Sequence, residues 1–436
     1  MATEGRADAW HGPIERGPGG TVKTAHPAGT HLSNGKSFLV TVSEIFLYAL
    51  SMTTSPPLSR RTFLAGSAAM ALAGCVSTPN RDPAVVDTTP LKERAQRKGL
   101  IIGAEVSAPL LTDPMFAATL TRDFDMVVPG NALKWGPLER RKKAPDFHNA
   151  DAIANFATDH GMMMRGHTLL WHNMNPKWLS KHLADSRKDA AKLIRTHIQT
   201  VAGRYRGRMH SWDVVNEAIQ PNDGRPDGLR NSLFLKALGP DYLALAFEAA
   251  AEADPGARLV FNEYGCEWGW DIGRQRRNAT LRLLEKLLSK GVPVHALGIQ
   301  GHLDPGSEGS MDTRALGRFC DEAADLGLTL QVTELDARDT SIRGSIETRD
   351  RLVADAYARF LDVVLARPAT EAVLTWGVTD RHTWLTGHFP RPDGGIVRGL
   401  PYDADYRRKP AWYALAAALD AAPLRPRQKN GPRKAS

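Results

Sequence analysis

Cysteine is scarce in this chain. Its 436 residues hold three: Cys75, Cys266 and Cys320. Three cannot build a disulfide framework, and their spacing has no metal-ligand pattern. A single bridge between Cys266 and Cys320 is left open by the sequence. Long hydrophobic runs are also missing. The run from Leu64 to Ala73 is too short to span a bilayer as a helix, and "SFLVTVSEIFLYAL" is interrupted by Glu44. No low-complexity block dominates. The last fourteen residues lack acid altogether. Pro423 to Ser436 carries Arg425, Arg427, Lys429, Arg433 and Lys434, five of the eight net positive charges of the chain. The basic balance is therefore a tail effect. No nucleic-acid motif accompanies it, so no nucleic-acid partner is expected. The tail, 422–436, reads as a solvated disordered segment.

What is present begins with an address. Residues 59 to 65 read "SRRTFLA", and an apolar run follows. This resembles the bacterial twin-arginine export signal. The run ends in "LAGC", residues 72 to 75, which resembles the lipobox of bacterial lipoproteins with Cys75 as the lipidated residue. A periplasmic, envelope-anchored or secreted location is expected, with membrane contact only through that lipid. Such signals stand at the N-terminus, and Met52 lies just ahead of this one. Residues 1–51 are therefore expected to be an upstream over-extension or a disordered segment, 52–75 the signal, and 76–90, with Pro79, Pro83 and Pro90, a tether.

From residue 100 short apolar runs alternate with helical patterns. The runs are "LIIGAEV" (100–106), "DMVVP" (125–129), "MMMRGHTLLW" (162–171), "MHSWDVVNE" (209–217), "ARLVFNEYG" (257–265), "HALGIQGHL" (295–303), "LTLQVTELD" (328–336) and "AVLTWGVTD" (372–380). Between them lie stretches such as "DYLALAFEAAAEA" and "RNATLRLLEKLLSKG", the second stopping on Gly291. Eight β/α units predict a TIM (β/α)8 barrel over 91–421. His167, Asn216, Glu217, Asn262, Gln300, His302, Glu334, Asp336 and Asp380 fall near the C-terminal ends of the predicted strands. That face of a barrel carries the active site. Burying so many polar groups unpaired would cost about 1–3 kcal/mol each.

Two of these groups are carboxylates at strand ends on the same face. Glu217 closes the fourth run and Glu334 the seventh. Glycosidic cleavage needs such a pair, one protonated to release the leaving oxygen and one ionised to attack the anomeric carbon. Asn216 stands beside the first and is placed to bond a sugar 2-hydroxyl. His167 and His172 do not have the spacing of a helical metal site, so no metal is expected, and no cofactor either.

"WDVVNE", "VTELD", "GHTLLWH", "GIQGHL" and "WGVTD" resemble glycoside hydrolase family 10, the retaining endo-β-1,4-xylanases. The likeness runs from about Leu91 to Leu419 and includes "YDADYRRKPAWYAL". It implies double displacement on xylan or xylo-oligosaccharides by a monomer, with Glu217 as acid/base and Glu334 as nucleophile. It implies that His302 and Asp336 hold the nucleophile ionised and oriented. His167 and Trp171 would floor the cleaving subsite, and Gln300 would touch the cleaved sugar. Trp384 would face the sugar, while Trp376 is equally readable as core. Asn131, Lys134 and Trp135 of "VPGNALKW" fit the next glycone subsite.

The chain departs from the family pattern in two places. Gly130 stands where the family usually has a glutamate before Asn131, which predicts a missing sugar contact that Gly130→Glu should partly restore. "NEYG" brings Glu263, expected to be structural, and Gly265, which removes an aglycone contact. Two other functions remain in view: a related barrel β-glycosidase on short xylo-oligosaccharides or β-glucan, and a catalytically weak sugar-binding lipoprotein. Too few residues lie outside the barrel for a separate carbohydrate-binding module.

Overall fold

Eight of the short apolar runs do pair, and they pair in parallel. The computed structural model describes residues 87–425 except Glu308; the expected over-extension, export signal and Cys75 lie outside the described residues. The barrel strands are β1 (Ile101–Val106), β2 (Met126–Pro129), β3 (Met163–Gly166), β4 (Ser211–Asn216), β5 (Arg258–Glu263), β6 (Ala296–Ile299), β7 (Thr329–Ala337) and β8 (Thr370–Thr375). Neighbours in sequence are neighbours in the sheet, and β8 pairs with both β7 and β1, which closes the ring. Parallel neighbours need crossover connections, and helices supply them on the outside.

Two runs are shorter than expected. The run 162–171 breaks after Gly166, and only Leu170–Trp171 rejoins, pairing with β4. The run 295–303 breaks after Ile299, and His302–Leu303 pairs with β7. Both breaks fall at polar residues, His167 and Thr168 in the first and Gln300 in the second. The helix Asp241–Ala253 coincides with "DYLALAFEAAAEA". It buries Tyr242, Leu243, Ala246, Phe247 and Ala250 at helical spacing, as an outer-ring helix must. The helix Asp271–Ser289 stops before Gly291, whose φ of +74° suits a residue without Cβ.

The interior of the barrel is layered. Ile101, Met126, Val128, Ala372, Leu374 and Trp376 form an apolar cluster. A polar layer is centred on Arg165, which donates to Ser211 (3.1 Å), Gln331 and Asp213. The wider apolar core lies between sheet and helices. Cys266 and Cys320 are both buried and free, so no bridge joins them.

Both ends of the domain are tied down further out than expected. The carbonyls of Thr88 and Thr89, assigned to the tether, accept from Arg408 (3.1 Å) and Arg94 (3.1 Å). Arg425, assigned to the solvated tail, is only 5% exposed. Its guanidinium caps the carbonyls of Leu365, Arg367 and Thr370, and its amide bonds Lys98 O at 3.0 Å. A cation satisfies these carbonyls between the last long helix and β8, which is why the chain runs back across them.

Candidate active site

The backbone turns sharply where β4 ends. Glu217 has φ +57°, a left-handed conformation that costs a non-glycine residue energy and persists only when its surroundings impose it. Here its N–H donates to Asn262 O (2.9 Å) and its carbonyl accepts from Arg230 Nε (2.7 Å). Glu263 supports the same turn. It is fully buried, accepts from Ile219 N at 2.7 Å and pairs with Arg276 at 3.2 Å. Burial pushes its carboxyl up to about 7, with Arg276 opposing. Glu263 is structural, as expected.

The two carboxylates sit at the same mouth and are joined by amides. Asn262 Nδ2 donates to Glu334 Oε1 and to Asn216 Oδ1, both at 2.8 Å. Thr333 Oγ1 donates to Asn262 Oδ1 at 2.7 Å and so fixes which way that amide points. Gln300 Nε2 donates to Asn216 Oδ1 and to Glu217 Oε1, both at 3.2 Å. Glu217 is 8% exposed and Glu334 5%. Both carboxyls therefore open only into the cleft.

Glu334 has a second partner. His302 Nε2 is 3.2 Å from Glu334 Oε2, and His302 Nδ1 is 2.7 Å from Asp336 Oδ1. Burial alone would lower His302, but Asp336 and Glu334 outweigh it and hold the imidazole well above its usual range. As an imidazolium, His302 donates from both ring nitrogens, one to each carboxylate. Trp384 Nε1 donates to the other oxygen of Asp336 at 2.7 Å.

Glu217 lies 3.7 Å from His172 Nδ1. Burial raises the Glu217 carboxyl, but His172, Arg230 and hydrogen bonds from Trp171 and Gln300 more than offset it, and the net direction is down. Burial pushes His172 itself to about 4. Its charge, and its pull on Glu217, are thus confined to acid solution. A substrate lying over Glu217 would exclude water and add to the upward push.

The other expected residues divide into two groups. His167 is buried, with Nδ1 2.9 Å from Asp213 Oδ2; Asp213 is in turn held by Arg165, so the polar layer of the barrel orients the floor of the site. Lys134 Nζ donates to Asn131 Oδ1 (2.9 Å) and lies 4.7 Å above the Trp171 ring. Burial lowers Lys134, while Glu334, Glu217 and Glu105 raise it, which puts its ammonium among all three carboxyls. By contrast Trp135 is core: its ring stacks on His197 at 3.6 Å. Trp376 roofs the interior apolar cluster and meets His167 edge-on at 5.1 Å. Asp380 is not at the site. β8 stops at Thr375, and Asp380 binds Lys409 Nζ (2.8 Å) and Leu400 N (2.9 Å), holding the closing segment.

Position 130 is already neighboured by a carboxyl. A Cβ on Gly130 would lie 2.0 Å from Glu105 Oε1. The space is filled by the end of the Glu105 side chain from β1, so a glutamate at 130 requires that carboxyl to move aside. Gly265 has φ +66°, and a Cβ there would meet the Trp268 ring at 2.9 Å. Sequence reasoning missed Glu105, Arg230 and Thr333. For Glu105 a signal existed, an acid inside the apolar run "LIIGAEV"; for Arg230, on a loop, none did.

A parallel barrel whose fourth and seventh strands end in amide-linked carboxylates, one of them on an imidazolium, defines a glycoside hydrolase. The Glycosyl hydrolase family 10 model matches residues 90–418, and the chain belongs to that family. It is 31% identical over 353 residues to endo-1,4-beta-xylanase B of Thermotoga neapolitana, covering 80% of this chain and 95% of that one. It is 33% identical over 326 residues to endo-1,4-beta-xylanase 3 of Hypocrea jecorina, covering 74% and 84%. Among solved structures, xylanase 10B of Thermotoga petrophila in complex with xylobiose superposes with a TM-score of 0.68 at 30% identity, covering 76% of this chain and 97% of that one.

Proposed function

We propose that the protein is an endo-1,4-beta-xylanase that hydrolyses xylan with retention, using Glu334 as nucleophile and Glu217 as acid/base. The observation that carries this reading is the linked pair: Asn262 binds Glu334 directly and reaches Glu217 through Asn216 and Gln300. Glu334 attacks the anomeric carbon while Glu217 gives its proton to the departing glycosidic oxygen. The carbon–oxygen bond to the leaving chain breaks, and an ester forms to Glu334. Glu217, now a carboxylate, takes a proton from water, which attacks the same carbon and releases Glu334. Asn216 is positioned for the sugar 2-hydroxyl, whose hydrogen bonds strengthen in the transition state. Gln300, His167, Trp171 and Trp384 line the cleaving subsite, and Asn131 with Lys134 the next glycone one.

Glu334→Gln tests the assignment, because an amide cannot form the glycosyl ester; nearly all activity is expected to go. A 2-fluoro xylobioside should label Glu334 in the native enzyme, and label on any other residue overturns the role. Proton NMR of the first products of xylan should show the β-anomer. We further propose export by the twin-arginine route, anchoring through a lipid on Cys75, and action as a monomer. Fractionation of cells carrying Cys75→Ala, with sedimentation of the purified enzyme, tests these three.

A further inference from the structure

Glu105 is a carboxyl at this mouth that the mechanism leaves idle. Its direction follows from strand parity. Ile101 on β1 points into the apolar interior, so Gly103 and Glu105 point inward in successive layers. Val128 on β2 also points inward, and Gly130 follows it by two. Glu105 and Gly130 therefore meet in the uppermost layer, as the contact at position 130 requires.

Three observations bear on what Glu105 does. It is half-buried, with its carboxyl in the space that Gly130 leaves open. It lies within electrostatic reach of Lys134 and Glu334. Burial pushes it up to about 7, against Lys134 and with Glu334. A half-buried acid beside a lysine and an asparagine is a set of acceptors and donors suited to a polyhydroxyl surface. The side is given by the neighbours of Glu105. Gly130, which faces Glu105, directly precedes Asn131 and Lys134, the pair that the family resemblance puts in the next glycone subsite, so Glu105 stands on the glycone side.

We propose that Glu105 is a specificity-determining residue of the glycone side, accepting hydrogen bonds from the hydroxyls of the xylosyl unit next to the one cleaved. Gly130 is its complement: the absence of a side chain there is what admits the carboxyl of β1. The proposal rests on the xylanase reading. The structural alternative is that Glu105 does no more than balance the charge of Lys134.

An aryl xyloside fills only the cleaving subsite on the glycone side, whereas an aryl xylobioside fills the next one too. Turnover of both and of xylan by the unmodified enzyme reports on the xylanase reading alone. The ratio between the two aryl glycosides reports on Glu105. Glu105→Ala should lower kcat/KM on the xylobioside by about 10- to 150-fold, the range of a charge-assisted hydrogen bond, and change the xyloside by less than about threefold. Gly130→Glu alone should lower the xylobioside rate, because two carboxyls compete for one space. Glu105→Ala combined with Gly130→Glu should recover part of the loss, since a carboxyl then returns from the neighbouring strand. Equal losses on both substrates would show a charge-balancing role and overturn the proposal, as would a double variant no better than Glu105→Ala. If Glu105→Ala does not fold, Glu105→Gln keeps the volume and carries the same ratio test.

Discussion

Glu217 and His302 show what a single side chain owes to its surroundings. Glu217 must deliver a proton, yet its carboxyl is shifted down in the open site. Its proton matters most where the leaving group is poor. Glu217→Ala should therefore slow xylan far more than an aryl xylobioside with a good leaving group. Added azide should restore turnover by attacking the ester in place of activated water; equal losses on both substrates would contradict the role. His302 supports a pH prediction. Its pKa is raised on folding, so the stability it contributes is complete below the ordinary imidazole value of about 6.5 and is lost as pH rises through the raised value. The gap in Tm between the native protein and His302→Asn should be widest near pH 5.5 and should shrink in alkali. A gap that grows with pH would mean that the ring is neutral when folded.

At the scale of elements, the polar layer inside the barrel joins β3, β4 and β7. Arg165 is fully buried with Asp213, and Asp213 orients His167. Removing one partner of a buried pair leaves the other charge without compensation, at about 3–5 kcal/mol. Arg165→Ala should lose that much stability in urea unfolding. It should also lower kcat on xylan, because the imidazole of His167 then loses the anchor of its own anchor. A variant that is destabilised but fully active would separate the layer from the site. The broken runs 162–171 and 295–303 belong to this scale as well. Their apolar pattern continues across the breaks, because Leu169, outside any strand, and Leu303, in the short segment that rejoins the sheet, are both buried. Apolar pattern reports burial, and burial in a returning loop looks the same as burial in a strand.

At the scale of the molecule, closure depends on the last residue described. Arg425 satisfies carbonyls ahead of β8 and ties to Lys98 just before β1, so it sits across the seam where the ring closes. Burial lowers its guanidinium to about 10. Arg425→Ala withdraws a donor from three carbonyls, of which Arg367 O keeps the Thr370 N–H at 3.0 Å; each buried carbonyl left unsatisfied costs about 1–3 kcal/mol. A drop in Tm of several degrees is expected, with kcat on xylan unchanged below the transition. An unchanged Tm would return Arg425 to the solvated tail.

Much of this protein was legible in its one-dimensional pattern. Eight apolar runs with helical spacers determine a parallel barrel, since each strand needs a crossover and each crossover needs a buried face. The polar residues that end those runs determine which mouth is active, and Glu217 and Glu334 stand out there because the chain ends buried strands on them. Tertiary structure alone decided who neighbours whom across strands. Glu105 and Gly130 lie 25 residues apart, and only the register of β1 on β2 brings them into one layer. Arg230 reaches the Glu217 turn from a loop, and Arg425 crosses the seam from the end of the chain. Periodicity fixes the direction in which a side chain points; closure and register fix what it meets.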